Sequence, residues 1–347
     1  MQTRNTMNTS NISTPLGNTS NSLKLSISRY RFCFEALDIV QLPAYSGSAW
    51  RGVLGHGLKR TVCVTHLPHC KDCMLKHSCA YSTIFETPPP PDTQIMRRYT
   101  SVPHPYVLEP DTVLRQTGIQ PGGAMILGFS LFGSANRQLP FIIHGLQMAG
   151  EKGIGRGQGH FELRKVEQES HLGSNQWLTI YQPGEQLTPI TPAPAVLPPL
   201  TQDTTKIKFI TPLRVKRDHS LAGSDRFEFH DLFRSLLKRI SLISYFHSDH
   251  PIEPDFTALS ASAREVKLTS SNLRWQDWTR YSSRQSTTMQ MGGLLGEIEI
   301  ESQHLEPYWP YLWLGQWTHA GKGTSMGLGQ YVIQDAASLP IQLQAAG

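Results

Sequence analysis

Residues Leu139 to Phe161, LPFIIHGLQMAGEKGIGRGQGHF, align without a gap to Trp309 to Tyr331, WPYLWLGQWTHAGKGTSMGLGQY, at an offset of 170. Pro140 falls on Pro310, Gly145 on Gly315 and Lys152 on Lys322; Gly153, Gly157 and Gly159 fall on Gly323, Gly327 and Gly329, and Phe161 on Tyr331. The same offset places Gly122-Gly123 on Gly292-Gly293, each pair heading a strand-like run. A duplication in such register restricts the fold to two copies of one unit. Each copy reads strand, helix, glycine-rich loop, strand, and two copies are too few for a solenoid.

A chain of 347 residues has room for two domains with real cores. It carries 32 Lys and Arg against 27 Asp and Glu, a formal charge of +5, which permits nucleic-acid binding without establishing it. No apolar run approaches the roughly 18 residues of a membrane span. The first 22 residues are polar and lack the apolar core of a signal peptide, so they read as a disordered tail. Five cysteines without an export signal point to a reducing, cytoplasmic location.

Along the chain, Leu23 to Leu37 alternates like a first strand, with Cys33 as a small core residue. The stretch YSGSAWRGVLGHGLKRTVC reads as a helix with an apolar stripe at Trp50, Val53, Leu54 and Leu58. An insertion rich in cysteine, histidine and proline follows at about 63–91, then strands, a helix from about Pro140 to Met148, and the first glycine loop. Six prolines between Gln182 and Leu200 mark a linker at 182–203. The second half opens with the strand KIKFITPLRVKR and a helix whose apolar face holds Leu232, Leu236, Ile240 and Ile243. The expected fold is α+β: two ferredoxin-like βαββαβ (RRM-like) domains in tandem, at 23–181 and 204–335, with a short tail at 336–347.

Three local patterns bear on chemistry. The Gly321-Lys322 pair is no phosphate-binding loop of the nucleotide type: Gly323 follows the lysine, and Gln316 stands where the loop's first glycine belongs. Cys63, Cys70, Cys73 and Cys79 form C-x6-C-x2-C-x5-C, a spacing suited to a structural Zn²⁺, with an iron–sulfur cluster as the alternative. His66, His69 and His77 are near enough in sequence to replace one thiolate. Finally, RWQDWTRYSSRQ interleaves Arg274, Arg280 and Arg284 with Trp278 and Tyr281, a mixture suited to phosphate contact and base stacking.

Taken together, PAYSGSAWRGVLGHGLK, CKDCMLKHSCAYSTIFE, PHPYVLEP, GIGRGQGHFEL, SSRQSTTMQMGGLLGEIEIE and LGQWTHAGKGTSMGLGQY resemble the RAMP superfamily of CRISPR-associated proteins. The nearest likeness is to the endoribonuclease that processes precursor CRISPR RNA, and it spans about residues 27 to 332. The resemblance implies metal-independent cleavage within repeats, by 2′-hydroxyl attack that leaves a 2′,3′-cyclic phosphate. Its RNA-processing relatives keep catalytic groups near the first helix, where this chain offers Tyr45, His56 and Lys59, with His319 as rival. It also implies that the second loop, through Gly321, Lys322, Gly323, Gly327 and Gly329, cradles RNA phosphates, and that Lys152 and Arg156 do so on the first. Expected partners are the precursor repeat RNA and a CRISPR effector complex. Two further functions share these features: a non-catalytic RAMP subunit that only binds guide RNA, and a zinc-stapled protein-interaction scaffold.

Overall fold

A computed structural model describes residues 24–111, 118–218, 220–282 and 287–334. The tails expected at 1–22 and 336–347 lie outside the described residues, as does Arg284. The first lobe runs β1 (Ile27–Ala36), α1 (Gly47–Val62), β2 (Tyr106–Pro110), β3 (Ala124–Phe132), α2 (Leu139–Gly150), β4 (Phe161–Glu169) and β5 (Trp177–Tyr181). The second runs β6 (Thr204–Leu213), the ribbon β7 (Lys216–Arg217) and β8 (Ser220–Leu221), α3 (Phe229–His247), α4 (Phe256–Ser262) and β9 (Ser270–Gln276). A hairpin, β10 (Thr279–Ser282) and β11 (Thr287–Gln290), precedes β12 (Gly293–Glu301), α5 (Trp309–Thr318) and β13 (Tyr331–Gln334).

Both lobes have the ferredoxin-like plan. The first sheet has the order β2-β3-β1-β4-β5 and the second β13-β6-β12-β9, all neighbours antiparallel. Numbered within its own unit, each sheet is ordered second, third, first, fourth strand. The offset of 170 carries α2 onto α5, β3 onto β12 and β4 onto β13. The terminal β5, the ribbon, α4 and the hairpin have no counterpart in that repeat.

Alternation makes the first sheet two-faced. Tyr30, Phe32 and Phe34 of β1 are buried in the core beneath α1 and α2. Arg29, on the opposite face, is held at 3.1 Å by both Glu109 of β2 and Glu169 of β4. Its guanidinium lies 5.9 Å from the Trp317 ring of α5, so this face looks toward the second lobe. On α1, Trp50, Leu54 and Leu58 are buried at the helical spacing, whereas Val53 is only half-buried and faces a cleft. The helices cross closely at Gly57, where a Cβ would come within 1.9 Å of the Gly145 carbonyl oxygen.

The second core is built on α3. A capping box formed by Glu228 and Asp231 starts that helix. Leu232, Leu236, Ile240 and Ile243 are fully buried, each contributing about 1.5–3 kcal/mol. The linker straps onto this lobe: Leu197 and Leu200 pack against its core, and the Trp309 indole donates to the Pro198 carbonyl at 2.7 Å. Cys33 is half-buried beside Glu167, and burial followed by that carboxylate pushes its thiol up to about 11. No described helix is long and apolar enough to cross a membrane.

Candidate functional site

A cleft of about 1590 Å³ opens between the lobes. One wall is the face of α1 carrying Ser48, Gly52, His56 and Arg60; the first glycine loop adds Lys152 and Arg156. The second lobe supplies Thr211 and Pro212 of β6, and Gln276 and Trp278 at the base of the hairpin. Positions 48, 52, 56 and 60 share one helix face because they recur every four residues. His56, Arg60, Lys152 and Arg156 are all exposed to solvent. Arg60 keeps a loose pair with Glu151 at 3.7 Å, while Lys152 and Arg156 have no carboxylate partner among the described residues.

Tyr45 lies at the cleft floor with its ring 4.9 Å from that of Trp278. Its hydroxyl donates to the Met326 carbonyl at 2.8 Å, and burial pushes its pKa up, so it stays protonated and structural. Lys59 does not join His56. Three positions along α1, it turns to the insertion and donates to the Leu67 and Pro68 carbonyls, both at 3.3 Å. The glycines flanking His56 serve packing rather than access: Gly55 abuts the Phe85 ring and Gly57 the α2 backbone.

His319 is not a cleft residue either. It is fully buried at the end of α5, with Nδ1 3.3 Å from the Leu328 carbonyl and Nε2 unpartnered. Burial foremost, with Arg239 and Arg29 nearby, lowers its pKa to about 4 against the opposing pull of Glu109. No strand of RNA reaches it in this arrangement.

The second glycine loop is a packing device. Gly321, Gly323, Gly327 and Gly329 all have positive φ. A Cβ at Gly329 would come within 1.8 Å of the Ala320 carbonyl oxygen, and one at Gly327 within 2.6 Å of the Leu108 carbonyl oxygen of β2. Four of the loop's amides point inward. Gly321 donates to Ser235 Oγ, Lys322 to the Arg214 carbonyl, Gly327 to Thr324 and Gly329 to Pro212. What remains for RNA is charge: the exposed Lys322 side chain stands beside Lys216 and Arg214, and burial followed by those cations lowers its pKa. Arg274 is exposed on β9, and Arg280 lies on β10.

Comparison with known proteins matches this architecture. Residues 207–331 match the family model described as CRISPR-associated endoribonuclease Cas6. That match runs from within β6 to the first residue of β13, so it takes in most of the second lobe. Residues 25–194 match a second model, described as an N-terminal domain. A solved Cas6 product complex superposes with a TM-score of 0.53 at 15% identity, over 88% of this chain and 99% of that one. Thermus thermophilus Cas6 gives 0.51 at 14% identity, over 89% and 98%. At such identities these likenesses establish the shared fold. An uncharacterized protein of Archaeoglobus fulgidus is 30% identical over 133 residues, which is 38% of this chain and 43% of that relative.

The chain carries its cysteine cluster in a segment with little regular structure, a 3₁₀ turn at Cys70–Asp72 and a π-helical turn at Ser82–Glu86. Cys70 and Cys79 pack on the first core. The Thr65 hydroxyl lies 4.0 Å from Cys63 Sγ and 3.5 Å from Cys73 Sγ. Cys70 is raised by burial foremost, and also by Glu86, Cys63 and Cys79. The four thiols therefore occupy one neighbourhood, but among the described residues no three His, Cys, Asp or Glu side chains converge as metal ligands. Sequence reasoning missed Arg60, which only the four-residue step from His56 would have indicated.

Proposed function

We propose that this chain is a ribonuclease that cuts precursor CRISPR RNA within its repeats and uses the inter-lobe cleft to do so. The observation that carries the reading is His56, the one histidine lining the cleft among the described residues, set among Arg60, Lys152 and Arg156 in a chain whose second lobe matches the Cas6 family. The His56 imidazole takes the proton of a 2′-hydroxyl as its oxygen attacks the adjacent phosphorus. The 2′-O–P bond forms and the P–O5′ bond breaks. His56 then returns the proton to the departing 5′-oxygen, which gives a 2′,3′-cyclic phosphate and a 5′-hydroxyl. Lys152 and Arg156 offset the charge of the phosphorane. Trp278, above Tyr45, offers a ring against which an unpaired base stacks.

No metal enters these steps. Labelled repeat RNA incubated with the protein in metal-free buffer is expected to be cut once per repeat, leaving a cyclic phosphate. A 2′-deoxy nucleotide at the cut should abolish cleavage and leave binding intact. A strict requirement for Mg²⁺ would refute the mechanism, and binding without cleavage would make the chain a guide-RNA-binding subunit instead.

The insertion is proposed to hold one structural metal ion through Cys63, Cys70, Cys73 and Cys79, Zn²⁺ being the first choice for four thiolates. Their spacing supports this, as does their shared neighbourhood around Thr65. Lys59, close enough to lower the Cys70 thiol, would offset part of the thiolate charge. Elemental analysis of purified protein should find about one zinc per chain, or visible absorbance if the centre is iron–sulfur. Folded, active, metal-free protein would rule the centre out.

A further inference from the structure

Buried cations in this molecule are treated in two ways. Arg29 receives two carboxylates, Glu109 and Glu169, each at 3.1 Å. Arg239 of α3 receives none. Its Nε donates to the Thr318 carbonyl at 2.5 Å, and its Nη2 is buried without a hydrogen-bond partner. Burial alone lowers its pKa to about 9, with no anion nearby to oppose the shift. An uncompensated buried charge costs several kcal/mol. Such a group persists when something outside the chain supplies the missing acceptor.

Arg239 is not isolated. His104, in the segment leading into β2, lies within electrostatic reach of Arg51, Arg239 and His247, which with burial lower its pKa to about 3. Arg51 of α1 contacts the His104 ring, Nη2 to Nε2 at 3.2 Å, and lies over the Phe85 ring at 4.2 Å. The His104 tautomer follows from its partners. Nδ1 donates to Thr87 Oγ1 at 2.7 Å, because that hydroxyl itself donates to the Val102 carbonyl; Nε2 therefore accepts from Arg51. On the other side, His247 Nε2 donates to the Pro103 carbonyl at 2.8 Å. Among the described residues no carboxylate pairs with Arg51 or Arg239. All four side chains keep partial exposure to solvent. None of the four lines the large cleft.

We infer that this seam, between α1, α3 and the approach to β2, binds a phosphate group through Arg51 and Arg239, and that the group is a backbone phosphate of an RNA strand. Two guanidiniums from different lobes are suited to the task. Each offers several N–H donors in a planar fork that matches phosphate oxygens, and an anion between them offsets both charges. His104 acts as a positioning residue: its fixed tautomer holds Arg51 Nη2. The site also joins the lobes, because Arg51 belongs to the first and Arg239 to the second. The RNA assignment rests on the ribonuclease reading above; the phosphate chemistry does not.

The test uses the full chain and inorganic phosphate first. At constant ionic strength, phosphate in place of chloride should raise the melting temperature of the wild type and leave Arg239→Met unmoved. Without phosphate, Arg239→Met should be at least as stable as the wild type, since it removes an unpaired buried charge. Arg51→Met, at the partly exposed end, provides the same comparison should Arg239→Met fail to fold. The second arm uses a labelled oligoribonucleotide, for which Arg239→Met should weaken binding and lower the salt slope by about one. A wild type indifferent to phosphate, or variants with an equal phosphate response, would overturn the site. A phosphate response lost in Arg239→Met while RNA binding is unchanged would overturn the RNA assignment. A chain that fails to cut repeat RNA yet keeps the phosphate response would refute the nuclease reading alone.

Discussion

His319 illustrates how burial decides what a histidine does. In sequence it opens a glycine loop beside a lysine, which is the setting of a phosphate site. In the fold it is enclosed, and its pKa is lowered to about 4. The consequence for stability has a definite sign. Its folded value lies below the unfolded value of about 6.5, so the unfolded chain binds the extra proton first. The stabilisation is complete above pH 6.5 and is lost as pH falls toward 4, at about 1.4 kcal/mol per pKa unit. Urea denaturation should therefore show stability falling through this window, less steeply in His319→Gln than in the wild type. His104 and His247, lowered to about 3 and about 4, sustain the remaining slope. Equal slopes in the two proteins would contradict the assignment. The distinction between His56 and Lys59 is of the same kind. Both stand on α1, three residues apart, and only the packing of the insertion shows that one faces the cleft and the other the Leu67 carbonyl.

The glycine loops show what a repeat reveals at the scale of an element. Matching glycines at an offset of 170 were readable in part because Gly153 and Gly157, like Gly323 and Gly327, adopt positive φ, a property fixed by the local backbone. Whether the resulting amides face outward or inward depends on β2 and β6, which lie far away in sequence. That is why the duplicated lobes were legible and the inward bonding of the loop amides was not. The β10–β11 hairpin, outside the repeat, left no such trace. Gly329→Val is accordingly expected to destabilise the protein by at least about 1–3 kcal/mol, while molecules that remain folded bind RNA normally. Lys152→Ala should do the reverse: melting shifts little, and RNA affinity falls about equally for cognate and altered repeats. Calorimetry beside filter binding separates the two. A Gly329→Val protein as stable as the wild type but deficient in RNA binding would restore the cradle.

At the scale of the molecule, two copies of one fold are joined by a proline-rich strap, and contact between them creates what neither has alone. The cleft takes His56, Arg60, Lys152 and Arg156 from the first lobe, and Thr211 and Trp278 from the second. The proposed phosphate site likewise takes one arginine from each lobe. Such sites escape a linear reading, since members such as His56 and Trp278 stand 222 residues apart. The account rests above all on His56 as the acid–base group of that cleft. Its most direct test is the single-turnover cleavage rate of His56→Ala at saturating repeat RNA, with affinity measured in parallel. The predicted result is a rate lower by about 10²–10⁴-fold with affinity within a few-fold of the wild type. Cleavage at the wild-type rate by a fully RNA-bound His56→Ala protein would contradict it.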